Sequence, residues 1–186
     1  DSEITKVEIK SELVENYSYS TIELETMNLI NEYRLSEGLN ALKKINHLSY
    51  KAEEHDDYMI KNNLVNHDNF TDRSQNIIEV LGARRVSENI AYNYKTPQAA
   101  VDAWLLSIGH KENIKGNFTH FGISIRENPS NGKKYYTNIF IKILLKQISH
   151  ISSFCFSTKR FTIVMFIIYL YFSSIIIIPF TVVNTF

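Results

Sequence analysis

Cysteine is almost missing from this chain: Cys155 is the only one in 186 residues. No intrachain disulfide can form, and the lone thiol says little about compartment, since many exported bacterial proteins carry none. An excess of charge is missing too. Twenty Lys and Arg balance twenty Asp and Glu, and no Lys/Arg cluster stands out along the chain. No net field recruits nucleic acid or an anionic membrane, so nucleic acid is not an expected partner. There is no Gly-x-Ser-x-Gly word of the kind that presents a nucleophilic serine on a sharp turn. The chain opens at Asp1 with no charged and then apolar leader pattern, which reads as a mature or trimmed form. The length suits one domain with attachments.

Both attachments show in the composition. Residues 1–19 are polar and acidic without periodicity, the pattern of a flexible arm. Residues 143–186 form an apolar tail with no charged residue from Phe161 to Phe186, long enough to cross a bilayer. The basic flank Lys142, Lys146, Lys159 and Arg160 lies on the domain side, which would place the domain in the cytoplasm. That conflict leaves two expectations, a membrane segment or a translated frameshift or read-through. Membrane contact is expected only if the tail is genuine.

Between these ends, Ser20-Thr21-Ile22-Glu23 has capping-box spacing, and Ile22, Leu29, Ile30 and Tyr33 recur at helical intervals up to Gly38. A second helix starts near Asn46, carries Leu48, Ala52, His55 and Met59 on one face, and ends at Lys61-Asn62-Asn63. His55 on that stripe reads as a core-edge histidine bonded to backbone, outside any site. A short helix is expected from Ser74 to Leu81, stopping at Gly82. Thr96-Pro97 caps a fourth, with Ala100, Val101, Trp104 and Leu105 inward, and Lys111 to Ile114 supplies one further turn. Phe121, Ile123 and Ile125, then Tyr135, Thr137, Ile139 and Ile141, alternate around the hairpin signal Asn131-Gly132. A further strand is expected near Ser87 to Tyr92. Helices first and strands last indicate an α+β arrangement with an antiparallel sheet.

The chemistry-bearing residues sit on separate short segments: His67 in Asn66-His67-Asp68-Asn69-Phe70, Glu88 in Ser87-Glu88-Asn89-Ile90, and His110 in Gly109-His110-Lys111-Glu112-Asn113-Ile114. Two imidazoles and a carboxylate from different loops are what a fold supplies when it assembles one metal or acid/base site. Asn89 and Asn113 read as supports that hold loop backbones, and Trp104 as a packing anchor. His120 reads as an exposed histidine at a strand entry. Asp68 and Asp72 lack the spaced ligands of a calcium loop and read as a solvated loop.

These words, with Leu29-Ile30-Asn31-Glu32-Tyr33-Arg34 before them and Asn117-Phe118-Thr119-His120-Phe121-Gly122-Ile123 and Tyr136-Thr137-Asn138-Ile139-Phe140 after them, resemble the bacterial SCP-like branch of the CAP superfamily. That superfamily comprises cysteine-rich secretory proteins, antigen 5 and pathogenesis-related proteins. The resemblance covers about residues 22 to 142 and places a domain at 20–142. It implies a three-layer α-β-α sandwich around an antiparallel sheet, in a protein of the cell envelope or exterior. It also implies a central cleft lined by His67, Glu88 and His110, with Ser107 standing where many members carry a second acidic residue. Such a cleft would take a small molecule, lipid or peptide. His67 and His110 would ligate a divalent metal such as Zn2+ weakly, with Glu88 orienting an imidazole or a bound water. The alternative is a metal-assisted or serine-type hydrolase on His67, Glu88 and His110, with Ser107 or Ser87 as nucleophile.

Overall fold

The computed structural model describes residues 12–144. The expectations for the apolar tail beyond 144 and for residues 1–11 of the arm lie outside the described residues. Nine elements follow in order: α1 (Thr21–Ser36), β1 (Lys43–Lys44), α2 (Asn46–Asn62), α3 (Phe70–Leu81), β2 (Arg85–Tyr92), α4 (Pro97–Leu106), α5 (Ile108–Lys115), β3 (His120–Glu127) and β4 (Lys134–Lys142).

Local chemistry accounts for most boundaries. Ser20 caps α1 reciprocally: Glu23 N–H donates to its hydroxyl at 3.3 Å, and Ser20 N–H donates to Glu23 Oε2 at 2.7 Å. Helix α2 ends at Asn63, whose left-handed backbone (φ 50°) stops the helical ladder. Thr96 caps α4 with Pro97 behind it. Two helices exceed their sequence signals. Asn69 takes a left-handed conformation and starts α3 one turn before Ser74, which puts Arg73 in the helix. Helix α5 begins at Ile108, so His110 lies in its first turn instead of on a loop before it.

The sheet runs β1-β3-β4-β2. Its three long strands are antiparallel, with Glu88 opposite Ile139 and Gly122 also opposite Ile139. The short β1 adds a parallel pair against β3, so the sheet is mixed where alternation alone indicated antiparallel pairing. Two residues give no periodicity to read. The pair exists because the chain runs beside β3 on its way into α2, with Lys43 N–H donating to Thr119 O and Ile45 N–H to Phe121 O.

Helices cover both faces. Met27 and Ile30 of α1, Ala100, Val101 and Trp104 of α4 and Ile114 of α5 bury Phe121, Ile123, Ile125, Tyr136 and Phe140 on one side. Leu48 and Ala52 of α2 with Ile77 of α3 bury Ile139 and Ile141 on the other, while Met59 packs with Ile90 and Tyr135. Each fully buried large apolar side chain contributes about 1.5–3 kcal/mol of transfer free energy. Helix α2 sits so close to β3 that a Cβ on Gly122 would lie 2.6 Å from the Leu48 carbonyl carbon. Residues 12–19 of the expected arm carry no helix or strand, yet Val14 N–H donates to His47 Nδ1 at 3.2 Å and Tyr19 OH to Asn46 Oδ1 at 3.0 Å. No helix among the described residues is long and apolar enough to cross a membrane.

Candidate functional site

Strand β2 is an edge strand, and an edge presents unpaired backbone groups. Here side chains take up two of its carbonyls. Trp104 Nε1 donates to Ile90 O at 2.9 Å, and Asn113 Nδ2 to Glu88 O at 3.3 Å. Alternation then sends neighbouring β2 residues to opposite faces. Glu88 lies toward α2 and α3, and Ser87 and Asn89 lie toward α5. Functional groups from both helical layers therefore gather around one strand edge.

On the α3 side, Glu88 is buried and its carboxylate is gripped by Arg73, with Nε at 2.8 Å from Oε2 and Nη2 at 2.9 Å from Oε1. This is a two-pronged guanidinium–carboxylate pair with side chains only 7% and 1% exposed. Oε1 also meets His67 Nδ1 at 2.9 Å. A carboxylate can only accept, so in the neutral ring Nδ1–H donates and Nε2 keeps its lone pair. The His67 side chain is 52% exposed, so that lone pair is available to a ligand.

The loop bearing His67 is held from below. His55 Nε2 bonds Asn66 O at 2.8 Å, Tyr58 OH donates to Asp68 Oδ2 at 3.0 Å, and Arg73 Nη1 donates to Asp68 O at 3.2 Å. His55 is the buried, backbone-bonded histidine its stripe indicated, and burial pulls its pKa down. Asp68 is exposed.

On the α5 side, Asn89 Nδ2 donates to His110 O at 3.0 Å, Asn113 Nδ2 donates to Asn89 Oδ1 at 2.8 Å, and Ser87 Oγ donates to Asn113 Oδ1 at 2.5 Å. The two asparagines thus bind α5 to β2 and set the height of His110. His110 is half-buried, and its pKa is lowered first by burial and then by the neighbouring charge of His67. His67 comes from the segment between α2 and α3 and His110 from α5, one from each helical layer.

The remaining candidates make other contacts. Ser107 closes α4 and opens α5, with its N–H donating to Trp104 O at 3.2 Å. Among the described residues, neither Ser87 nor Ser107 hydrogen-bonds to an imidazole. His120, expected to be exposed, is half-buried at the start of β3, with Nδ1 at 2.9 Å from Thr119 Oγ1 and its pKa lowered by burial. No three His, Cys, Asp or Glu side chains among the described residues form a group able to hold a metal ion. Both Glu88 oxygens are engaged by Arg73 and His67. Arg73 is the functional residue the sequence reading missed. Its only sequence signal was position, a cation one helical turn beyond the Asn66-His67-Asp68 segment.

Comparison with known proteins gives a consistent result. The model of a family described as "CAP: Cysteine-rich secretory protein family" matches residues 27–141. The uncharacterized membrane protein YlbC of Bacillus subtilis is 32% identical over 129 residues, 66% of this chain and 35% of that protein. The uncharacterized protein YkwD of the same organism is 34% identical over 117 residues, 61% of this chain and 46% of that protein. The match thus spans less than half the length of either relative. Among solved structures, an extracellular protein containing a SCP domain from Bacillus anthracis superposes with a TM-score of 0.58 at 26% identity, covering 69% of this chain and 45% of that one. An outer surface protein from Borrelia burgdorferi gives a TM-score of 0.61 at 21% identity, covering 70% of this chain and 100% of that one, a likeness of fold.

Proposed function

Because this chain belongs to the cysteine-rich secretory protein (CAP) family, we propose that it acts outside the cytoplasm as a binding domain whose site is the His67–His110 pair at the β2 edge. The observation that carries this reading is the Arg73–Glu88–His67 chain of contacts at 2.8–2.9 Å. A buried ion pair sets the tautomer and orientation of an exposed imidazole, and we take the half-buried His110 of α5 as its partner. Such a pair accepts hydrogen bonds from a ligand's donors. It also suits weak, exchangeable coordination of zinc, since two imidazoles leave coordination positions open and carry less affinity than a four-ligand structural site. The location outside the cytoplasm draws on the extracellular protein of Bacillus anthracis with its SCP domain. The ligand class proposed is a small molecule, lipid or peptide with a polar group for the imidazoles.

The hydrolase alternative draws on the same His67–Glu88 contact, which would hold a general base. It has no partner on the nucleophile side, because Ser87 Oγ is committed to Asn113 and Ser107 is bonded to neither imidazole.

Calorimetric titration of the full chain with zinc at pH 7.5 tests the pairing. We expect weak binding that H67A and H110A each reduce and the double variant abolishes. Equal affinity in the wild type and the double variant would dismiss the shared site.

A further inference from the structure

Residues 12–19 carry no helix or strand, and among the described residues no backbone–backbone hydrogen bond ties them to the domain. Side chains hold them instead. Val14, Tyr17 and Tyr19 are half-buried while Glu12, Leu13, Glu15, Asn16 and Ser18 are exposed, so the segment rides on the surface by three side chains. Two grips fix its path. In the first, Tyr17 OH donates to the buried Glu23 at 2.9 Å and accepts from Arg126 Nη2 at 2.8 Å, and the Tyr19 ring faces the Lys44 ammonium at 4.4 Å. The second comes from adjacent residues of α2: Asn46 Nδ2 donates to Glu15 O, and His47 Nδ1 accepts from Val14 N–H at 3.2 Å.

The His47 contact is one that a single proton can reverse. The residue is 1% exposed and both its ring nitrogens are committed. A nitrogen that accepts from an N–H carries no hydrogen, so Nδ1 keeps its lone pair and Nε2–H donates to Asn76 Oδ1 of α3 at 3.0 Å. A proton on Nδ1 would set two hydrogens against each other. Charged groups facing the ring are Lys51 and Glu54 of α2, opposed in sign; α3 offers the neutral Asn76, and the arm brings Glu12 and Glu15 on either side of Leu13-Val14. His47 also lies in the first turn of α2, where the positive end of the helix dipole disfavours an added charge. Burial is the first cause of its lowered pKa.

We propose that His47 is a proton-controlled latch: the neutral ring holds residues 12–16 against α2, and the protonated ring lets them go. Tyr17 and Tyr19 stay anchored, so release turns residues 12–16 from a fixed strap into up to roughly 17 Å of free chain. Above the ordinary imidazole value of 6.5 the ring is neutral whether the strap is docked or free, and docking does not respond to pH. Below it the released ring takes up a proton that the docked ring resists, and docking weakens as pH falls. No hydrogen bond joins His47 to His67 or His110 among the described residues, and this reading and that of the imidazole pair can each fail alone.

Hydrogen exchange of the full chain, read by mass spectrometry on peptides covering residues 12–19 and expressed relative to the intrinsic rate at each pH, tests the latch. Protection should be constant from pH 8 to 7 and fall roughly tenfold or more by pH 5, while the β3–β4 amides keep theirs. His47→Asn puts an amide oxygen near the Nδ1 position and cannot take the proton, so its profile should be flat. Asn76→Asp sets a carboxylate beside Nε2, favours the charged ring, and should move the fall to higher pH by about one unit or more. N76D keeps the imidazole and decides the case if H47N cannot hold the strap at any pH. A flat wild-type profile, a fall in H47N equal to that of the wild type, an N76D profile unmoved or moved to lower pH, or a parallel loss of protection in β3 and β4 would each overturn the proposal.

Discussion

Removing Arg73 while leaving Glu88 in place probes the site and the fold together. In Arg73→Met the side-chain volume is largely kept, but Glu88, with 1% of its side chain exposed, loses both guanidinium contacts. Its remaining side-chain partner is His67 Nδ1. Breaking one half of a buried pair leaves a charge that the apolar surroundings cannot solvate, at about 3–5 kcal/mol. For a domain of this size that lowers the melting midpoint by roughly 10–20 °C. Replacing both partners, as in Arg73→Met with Glu88→Leu, removes the charge problem and should recover most of that loss, since a well-packed apolar pair often matches a buried ion pair. Thermal and urea unfolding of the wild type, the two single variants and the double variant close the cycle. Zinc titration of the same four proteins then reads the site: the double variant should be nearly as stable as the wild type yet bind zinc more weakly, because His67 has lost its orienting carboxylate. A cost below about 1 kcal/mol for Arg73→Met would refute the reasoning.

Two further predictions concern α2 in the same helical layer. Asp56 is fully buried beneath Thr137, which donates to its Oδ1 at 2.6 Å, while Oδ2 has no partner among the described residues. Burial raises its pKa well above the usual carboxylate range. A raised folded-state pKa contributes stability that is complete below the unfolded value near 3.8 and lost as pH rises through the folded value. Asp56→Asn keeps the shape and the Thr137 bond, so it should melt higher than the wild type at pH 8 and show a smaller decline between pH 5 and 9. An equal or steeper decline would remove Asp56 as the cause. Gly122→Ala would force a Cβ against the Leu48 backbone and separate α2 from β3. It should cost about 1–3 kcal/mol or more in urea unfolding, and a neutral result would show that α2 can shift at no cost.

Local signals in the chain carried the helix caps, the hairpin and the alternating strands, because each depends on residues within a turn or two. Ser20 and Glu23 are three positions apart and form the α1 cap, and Thr96-Pro97 starts α4 in the same way. Where a boundary depended on a backbone state that the residue type does not dictate, the signal failed. Asn69 in a left-handed conformation begins α3 a turn before Ser74 and so brings in Arg73. The short β1 has no pattern of its own and exists through its contact with β3. His120 reads as exposed from its neighbours in sequence and is half-buried in the fold, with Thr119 Oγ1 against its Nδ1.

What the sequence determined by itself was the family, the α+β class and the three words carrying His67, Glu88 and His110, since motif and period are properties of residue order. Only the tertiary structure decided that β2 lies at the sheet edge, so that one strand can receive Arg73 and His67 from one layer and His110 and Asn113 from the other. It also decided that the short β1 pairs with β3, setting Lys43 opposite His120. The physical reason is the same in both cases: electrostatic and hydrogen-bond energies depend on separation in space, and strand order and register turn distant positions along the chain into neighbours.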